Sequence, residues 1–503
     1  MENKNIDAKI LFVEPYRIGG NEFDMPGIAY LRGFLKSKGI ESDVINFNQL
    51  FYNNKKTIDH DCISYIKKCV NKNKTSMDSN NQSAFNIINN FFNLKQKTII
   101  KAIEEMDIFQ NYFQEELPKL LKYKYVGISV TFNTHLLFAL ILANFIKKNK
   151  NHIKIILGGP MITFFYDDLI MLQKNNQLID YLIIGEGETP IWKIIEQSHP
   201  SKVPNLIYLK KGLYKKSQNL NHIEDIKKLP SPIFDNDDII IYLQTTRKCY
   251  WGKCAHCTLD KNKFVKYPET KSSEKIIKYI SKINFQKNQE KYFIFTDNSL
   301  PVNFLKKFSQ KIINRGLKYN FEAFMRAEKT LNREILQTAK RAGFSRLKFG
   351  VETFNPRLSK LLNRGVDTKK IFELIKICFD LKINVYLYFM IGLPTQTKEE
   401  LEEDFNQILS VAKEYSSIIE KLQILLFRLE TGSDIYNNPK KYKIKILHEQ
   451  KKRFNRLVSF KQLNKNAISS KEAIKMHKIF YKKNHHILKD IYGTKPFYTR
   501  DEL

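Results

Sequence analysis

The stretch IIIYLQTTRKCYWGKCAHC, residues 239–257, joins a short apolar segment to three cysteines that fall within nine positions. The segment 239–244 predicts a buried strand. In a barrel of parallel strands, the loops that follow the strands form the mouth where reactive groups gather. Cys249, Cys254 and Cys257 have the spacing C-x4-C-x2-C, and clustered cysteines in a chain without a disulfide framework indicate a metal site.

The spacing leaves two metals open. A closed structural zinc site takes four ligands, and His256 directly precedes Cys257, which makes coordination by both residues awkward. A 4Fe-4S cluster takes one cysteine for each iron. Three cysteines would therefore leave one iron open to a small molecule that receives an electron.

Six strand-and-helix units follow from residue 239, which is too few for a complete eight-unit barrel and fits an open, partial one. Polar groups come directly after successive strands: Asp297 in FTDN, Arg326 in FMRAE and Glu352 in FGVET. Placed on one rim, they could hold an amino acid zwitterion and a ribose. The alternatives are a helix cap for Asp297 and a mutual salt bridge for Arg326 and Glu352. The predicted strands cover 239–244, 292–296, 319–324, 346–350, 384–392 and 421–427.

Residues 1–195 also alternate between strands and helices, which predicts a doubly wound parallel sheet with its ligand beyond the carboxyl ends of the strands. The segment 53–118 interrupts this pattern with helical, Asn- and Lys-rich sequence. Small or polar residues follow three of the predicted strands, and such residues let a large ligand approach the backbone, although ordinary tight turns would look the same. These residues are Ser129 and Thr131, Gly158 and Gly159, and Gly185, Glu186 and Gly187.

We expect residues 196–238 to be a linker in which VPNLIYLKKG could form a small hairpin strand. We expect 239–435 to be the partial barrel and 436–503 a mostly helical region. The net charge of +32 could serve nucleic acid or an acidic peptide, but Lys is abundant throughout and no nucleic-acid motif is present. The longest apolar stretch, 136–146, is too short to span a bilayer, and no signal-peptide pattern begins the chain. We therefore expect a cytoplasmic protein that binds neither membrane nor nucleic acid.

In this order, the motifs resemble the radical S-adenosylmethionine (SAM) superfamily, specifically members with an N-terminal cobalamin-binding domain. The resemblance rests on MPGIAYLRGFLKSKG, VGISVTFNT, KIILGGPMIT and DYLIIGEGET, then on the cysteine loop, KFGVETFNPRLSKLLNRG and YFMIGLPTQTKEELEED. It covers residues 8–430 apart from 53–118. It implies an α/β fold, with a Rossmann-like cobalamin-binding domain ahead of a partial (β/α)6 barrel and a helical C-terminal region.

The resemblance also implies site residues. Cys249, Cys254 and Cys257 would bind a 4Fe-4S cluster whose open iron chelates SAM. Arg326 and Glu352 would contact SAM, and the turn from Gly392 to Pro394 would pack near adenine. One electron would cleave SAM to a 5′-deoxyadenosyl radical, and cobalamin would deliver a methyl group to the substrate radical. The electron donor would be a protein such as flavodoxin or ferredoxin.

Three features depart from the family pattern. The first cysteine gap is one residue longer than C-x3-C-x2-C, a variant that resembles subgroups near peptide-modifying enzymes. His256 stands where a large aromatic residue usually precedes the last cysteine, and its imidazole would stack on adenine in that residue's place. No D-x-H-x-x-G motif is present, so cobalamin would be bound without a histidine ligand, or the domain would have lost it.

The sequence thus predicts a methyltransferase acting on a carbon of a peptide or small metabolite. Radical ring formation, cross-linking or rearrangement without methyl transfer is the alternative, and a zinc-stabilised nucleic-acid-binding protein is a third. The remaining cysteines are expected to be structural: Cys62, Cys69 and Cys378.

Overall fold

The computed structural model describes residues 10–19, 26–73, 83–150, 152–174, 176–234, 240–258, 270–283, 291–447 and 452–491. These residues form two compact units. The first consists of the described residues of Met1–Glu224, Lys228–Ile233 and Lys451–Asn455, and the second of the remaining described residues. Within the described ranges, every helix is too short or too polar to cross a bilayer.

The first unit is built on a seven-stranded sheet with the order β2-β1-β3-β4-β5-β6-β7. Strands β1 to β5 run parallel, and β6 and β7 are antiparallel to their neighbours. The chain order reverses between β1 and β3, which is the switch point of a doubly wound sheet. The strands are β1 (Ile10–Glu14), β2 (Ser42–Asn46), β3 (Tyr125–Ser129), β4 (Lys154–Gly158), β5 (Tyr181–Ile183), β6 (Leu206–Lys210) and β7 (Leu213–Lys216).

Helices connect these strands, and the predicted doubly wound architecture is confirmed. In β1, Ile10 to Val13 are almost fully buried, as expected for a parallel strand covered on both faces. The helices are α1 (Pro26–Ser37), α2 (Phe47–Leu50), α3 (Lys55–Lys72), α4 (Ala84–Phe92), α5 (Gln96–Glu105), α6 (Gln110–Leu120), α7 (Asn133–Asn149), α8 (Pro160–Gln173) and α9 (Glu188–Ile195).

The segment 53–118 is helical where it is described, with 74–82 outside the described residues. It contains α3, α4, α5 and most of α6, and its aromatic side chains pack against Phe138 of α7. Phe109 and Phe113 stack with ring centroids 5.7 Å apart. This segment is therefore part of the core of the first unit rather than a separate appendage.

Residues 196–238 were expected to be a linker with one small hairpin strand, and they contain a complete two-stranded hairpin. Residues 206–216 form β6 and β7, which add an antiparallel hairpin to the edge of the first sheet beside β5. The reason is that LIYLK (206–210) buries three consecutive residues against β5, which an isolated connector would leave in water. Residues 235–239, the end of the expected linker and the first residue of the next predicted strand, lie outside the described residues.

The second unit contains a six-stranded parallel sheet in the strictly sequential order β8 to β13. Each strand is joined to the next through a helix, so the six predicted units are confirmed. The strands are β8 (Ile240–Leu243), β9 (Tyr292–Phe295), β10 (Asn320–Met325), β11 (Phe344–Glu352), β12 (Asn384–Ile391) and β13 (Ile419–Leu426). The helices between and after them are α10 (Ser273–Ile280), α11 (Val302–Asn314), α12 (Arg333–Arg341), α13 (Pro356–Leu361), α14 (Thr368–Asp380) and α15 (Lys398–Glu414).

The two faces of this sheet differ. In β12, Val385, Leu387, Phe389 and Ile391 are buried in the main hydrophobic core, whereas the alternate residues are only partly buried. Helices therefore cover one face, and the other face remains accessible to solvent. This is the arrangement of a parallel barrel, whose helices form an outer layer.

The region from 436 onward is less helical than predicted. Two short antiparallel ladders precede its main helix, and each joins two segments that are separated in the sequence and do not continue the helical pattern. The ladders join β14 (Leu429–Glu430) to β16 (Leu457–Val458) and β15 (Ile444–Ile446) to β17 (Phe460–Gln462). The helices are α16 (Asp434–Asn437), α17 (Ser470–Lys483) and α18 (His485–Leu488), and 448–451 and 492–503 lie outside the described residues.

Candidate functional site

The cysteine loop begins directly after β8. Cys249, Cys254 and Cys257 are all free thiols and all partly exposed. The Cys257 N–H donates to the carbonyl of Cys254 at 3.2 Å, which closes a tight turn. The loop thus presents three accessible thiols at the carboxyl end of the first strand, as the sequence predicts.

A second loop, which follows α13, holds the cysteine loop in place. The Ala255 N–H donates to the carbonyl of Leu362 at 2.8 Å, and the indole N–H of Trp251 donates to the carbonyl of Asn363 at 2.9 Å. Gly365 has a left-handed φ of 62°, and a Cβ there would lie 2.2 Å from the Trp251 ring. The longer first cysteine gap therefore accommodates an indole that packs on a backbone without a side chain.

Two guanidinium groups flank Cys254. Arg364 Nη1 lies 3.5 Å from the Cys254 Sγ atom, and Arg326 Nη1 lies 3.9 Å from it. The Arg326 guanidinium also stacks over the Trp251 ring at 4.5 Å. Arg326 was predicted from its place after β10, whereas Arg364 was missed because it follows a helix rather than a strand. The arginine in LLNRG was the available signal.

Glu352 occupies a strained position at the end of β11. Its φ is 67°, a region that costs a non-glycine residue energy and that occurs preferentially at functional sites. Its Oε1 lies 3.4 Å from Nη1 of Arg364, and its side chain is 14% exposed. The alternative of a salt bridge to Arg326 is therefore wrong, because the partner is Arg364. Burial raises the pKa of Glu352, and the Arg364 charge opposes that rise.

The thiols and their neighbours fit an iron–sulfur cluster. Among the described residues, no three His, Cys, Asp or Glu side chains converge tightly enough to ligate a single ion. A cluster does not need such convergence, since each thiolate binds a different iron. Thiolates that ligate a cluster carry negative charge, and the nearby guanidinium groups of Arg326 and Arg364 would offset it. This geometry favours the cluster over the zinc interpretation.

Asp297 is fully engaged by the start of the cysteine loop. Its carboxylate accepts the Thr245 hydroxyl at 2.7 Å and the Thr245 N–H at 3.1 Å, and it also accepts the Thr246 N–H. Burial raises the pKa of Asp297, and these hydrogen bonds oppose that rise. The helix-cap alternative is wrong, because the N-cap position of α11 is Pro301 and no side chain, that of Asp297 included, makes a capping hydrogen bond there. The geometry supports an anchor for the loop rather than a group open to a ligand.

His256 is neutral in this loop. Burial, with a smaller effect from Arg364, lowers its pKa to about 3. Its Nδ1 atom is enclosed and has no hydrogen-bond partner among the described residues. The imidazole is therefore not a charged group at this site.

The turn from Gly392 to Pro394 is held by two glutamines. The Gln396 side chain accepts the Gly392 N–H at 2.8 Å, and the Gln462 side-chain amide donates to the carbonyl of Leu393 at 3.0 Å. The turn follows β12 directly, at the same end of the sheet as the cysteine loop. Its predicted packing near adenine stays a prediction.

In the first unit, the predicted turns follow three adjacent strands and lie at one edge of the sheet. Ser129 ends β3, and Gly158 ends β4. A Cβ on Gly158 would meet only Ile183 at 3.9 Å, so the backbone there is open. Gly159 differs, because a Cβ there would lie 2.7 Å from the Val130 carbonyl oxygen. Its small size therefore serves packing between two loops rather than the approach of a ligand.

In the turn after β5, all three predicted residues have close neighbours within the protein. The Gly185 N–H donates to the Thr163 hydroxyl at 2.9 Å. The Glu186 carboxylate accepts the N–H of Glu224. A Cβ on Gly187 would lie 3.3 Å from the Leu31 side chain. These three residues therefore contact other parts of the protein at this edge of the sheet. Space for a ligand remains beside Ser129 and Gly158 instead.

His135 was not predicted, and it supports the loop after β3. Its Nδ1 accepts the Thr131 N–H at 3.4 Å, and burial, with a smaller effect from Arg17, lowers its pKa to about 3. The Arg17 guanidinium lies 4.4 Å from the Phe132 ring. The carboxyl ends of these strands thus combine open backbone at Gly158 with the neutral imidazole of His135. Ligands of doubly wound sheets bind beyond the carboxyl ends of the strands, and these residues fit such a site. The sequence signal was a histidine at the start of α7.

Outside these sites, Cys62 and Cys378 are buried and Cys69 is partly buried. Burial raises the pKa of Cys378 and, together with Asp59 and Asp61, that of Cys62. Such thiols resist ionisation and are unsuited to bind metal. Their expected structural role stays a prediction.

Models of two known families match parts of this chain. The Radical SAM superfamily model matches residues 243–408, and the B12 binding domain model matches residues 84–194. The second match begins within the segment 53–118 that interrupts the strand pattern. An uncharacterized methyltransferase of Pyrococcus horikoshii is 23% identical over 292 residues, which cover 55% of this chain and 62% of that protein. The chain thus spans about three fifths of the length of the curated relatives it matches.

Two solved structures share the fold. TsrM, a radical SAM methyltransferase from Kitasatospora setae with cobalamin and a 4Fe-4S cluster bound, has a TM-score of 0.59 at 11% identity over 88% of this chain and 81% of that chain. OxsB, a cobalamin-dependent SAM radical enzyme, has a TM-score of 0.61 at 13% identity over 95% and 67%. The chain therefore contains a B12-binding domain over residues 84–194 and a radical SAM domain over residues 243–408.

Proposed function

We propose that this chain is a cobalamin-dependent radical SAM methyltransferase that acts on an unactivated carbon of a peptide or a small metabolite. The observation that carries the proposal is the group formed by Cys254, Arg364 and Glu352 in a chain that also has a B12-binding domain. When bound, the cluster and SAM supply a one-electron bond cleavage, and methylated cobalamin supplies the methyl group.

The roles of the residues follow from their positions. The three thiols of the cysteine loop would hold the cluster. Arg326 and Glu352 would contact SAM, and the Gly392–Pro394 turn would lie beside its adenine. Cobalamin would lie at the carboxyl edge of the first sheet, near Ser129, Thr131 and Gly158. A small electron-transfer protein, such as flavodoxin or ferredoxin, would supply the electron.

The substrate would lie against the partly exposed face of the β8–β13 sheet. Phe324 and Tyr388 stack there with ring centroids 5.9 Å apart. Below them, Glu322 is held by Lys348 and by Arg346, so one end of this face is fixed by ion pairs. The two aromatic rings and the fixed ion pairs of Glu322 would hold a bound substrate in one orientation.

The test is anaerobic purification with cobalamin supplied, followed by iron, sulfide and corrinoid analysis. The protein is then incubated with a reductant, a source-cell extract, and SAM whose methyl group is deuterated. We expect bound corrinoid, 5′-deoxyadenosine and a product that carries the labelled methyl group. Deoxyadenosine with no labelled product would contradict methyl transfer and would favour ring formation, cross-linking or rearrangement.

The SAM contact is tested separately with Glu352→Ala. The variant should weaken SAM binding, measured by calorimetry on the reconstituted protein, while the brown cluster absorbance remains. Glu373→Ala is the matched control, because that glutamate is 54% exposed and pairs with Lys370 on its own helix. Unchanged SAM affinity in Glu352→Ala would remove this role.

A further inference from the structure

We propose that the positive charge of Arg364 raises the reduction potential of the cluster, and that the carboxylate of Glu352 lowers the same potential. The inference deepens the proposed function and rests on it only in requiring the iron–sulfur cluster. It needs neither cobalamin nor methyl transfer.

The Arg364 guanidinium has a fixed position. Its side chain is 10% exposed, and its Nη2 donates to the carbonyl of Gly350 within β11. Its own backbone carbonyl accepts a hydrogen bond from Arg326. Because the head group and the backbone are both bound, the positive charge cannot move away from the cysteine loop without breaking these contacts.

One nitrogen of this guanidinium is shared by two acidic groups. Nη1 lies 3.5 Å from the Cys254 sulfur and 3.4 Å from the Glu352 carboxylate. Arg326 approaches the same sulfur at the longer distance of 3.9 Å. Of the two guanidinium groups that contact the Cys254 sulfur in the described part of the chain, that of Arg364 is the nearer. Glu352 partly offsets its charge.

The sign of the effect follows from charge alone. Reduction adds one electron to the cluster, and no bond in the protein forms or breaks. The reduced cluster is more negative by one unit, so a neighbouring cation stabilises it and a neighbouring carboxylate destabilises it. Net charge and hydrogen bonds to the sulfurs are established determinants of the potential of such clusters. Removal of Arg364 and removal of Glu352 should therefore have opposite effects.

The experiment is a dithionite titration of the reconstituted holoprotein at pH 8, monitored by electron paramagnetic resonance, without substrate or cobalamin. At the wild-type midpoint, Arg364→Gln should lower the ratio of reduced to oxidised cluster about tenfold, which is 59 mV for a one-electron couple. Glu352→Gln should raise the ratio several-fold. Arg364→Lys keeps the charge and should stay within about threefold of wild type.

The matched control is Arg333→Gln, which removes the same charge from an exposed ion pair with Asp380 and should leave the ratio unchanged. Shifts of the same sign in Arg364→Gln and Glu352→Gln, or no shift at wild-type iron content, would overturn the proposal. If Arg364→Gln takes up no iron, Arg364→Lys and Glu352→Gln carry the test. Loss of methyl transfer with these shifts intact would reject the proposed function alone.

Discussion

Replacing Asp297 by alanine tests whether this residue anchors the cysteine loop. In the structure, three donors from the strand end point at its carboxylate: the Thr245 N–H, the Thr245 hydroxyl and the Thr246 N–H. Both threonines are almost completely buried. Alanine would leave these donors without an acceptor and without water.

The magnitude can be worked from these bonds. A buried donor left unsatisfied costs about 1–3 kcal/mol, so three of them give a range of about 3–9 kcal/mol. The substitution also removes a buried carboxylate whose own desolvation is unfavourable, as its raised pKa indicates. We therefore expect the lower end, a loss of roughly 3 kcal/mol in the free energy of unfolding of this region.

The chain supplies its own probe, because it has only two tryptophans. One of them, Trp251, lies in the cysteine loop, and the other is Trp192. In a Trp192→Phe background, urea denaturation followed by fluorescence reports on the loop. Asp297→Ala should lower the midpoint and should also reduce the iron retained after reconstitution.

Asp297→Asn is the matched control. Its amide oxygen can still accept the bonds that converge on Oδ1, so the loss should be below about 1 kcal/mol. Wild-type unfolding and full iron content in Asp297→Ala would refute the anchoring role. If Asp297→Asn unfolds normally but binds SAM much more weakly, the carboxylate contacts the ligand, as the sequence first suggested.

Three further predictions concern the same unit. Cys254→Ala should abolish cluster assembly, since two thiolates hold a cluster poorly; full iron content would contradict this. Gly365→Ala places a methyl group 2.2 Å from the Trp251 ring at a left-handed φ, so it should destabilise the loop by about 2 kcal/mol or more, and unchanged Trp251 fluorescence would count against it. Burial raises the pKa of Asp404 to about 6. Its protonation therefore contributes stability that is present in full below about pH 4 and is lost as the pH rises through 6. The total contribution is about 3 kcal/mol. Asp404→Asn should remove that pH dependence from urea denaturation curves.

Much of the fold could be predicted from local pattern. The strands of the second unit match the expected ranges within a few residues, because short apolar runs between helical segments are specified by near neighbours. Only one strand of the β6–β7 hairpin was predicted, since β6 is also held by β5, which lies well before it in the sequence. The C-terminal ladders were missed for the same reason: each pairs segments with weak local propensity.

For the site, the cysteine loop and the residues after β10 and β11 were identifiable because parallel strands end at a common edge. Arg364 was not, because it follows a helix and reaches the loop only through tertiary packing. The partner of Glu352 was misassigned for that reason. Gly159 and Gly187 were expected to let a ligand approach the backbone, whereas the space beside them is taken by atoms of Val130 and Leu31.

The sequence by itself determined the periodicity of the chain, and with it two parallel sheets and a triplet of thiols at a strand end. These properties depend on contacts between residues close in sequence. Tertiary structure alone decided which charged groups surround the thiols and which groups form hydrogen bonds or ion pairs with each carboxylate. Such pairings join residues from 12 positions apart, as in Glu352 and Arg364, to 110 positions apart, as in Cys254 and Arg364. Their energies depend on burial and distance, which no local pattern records.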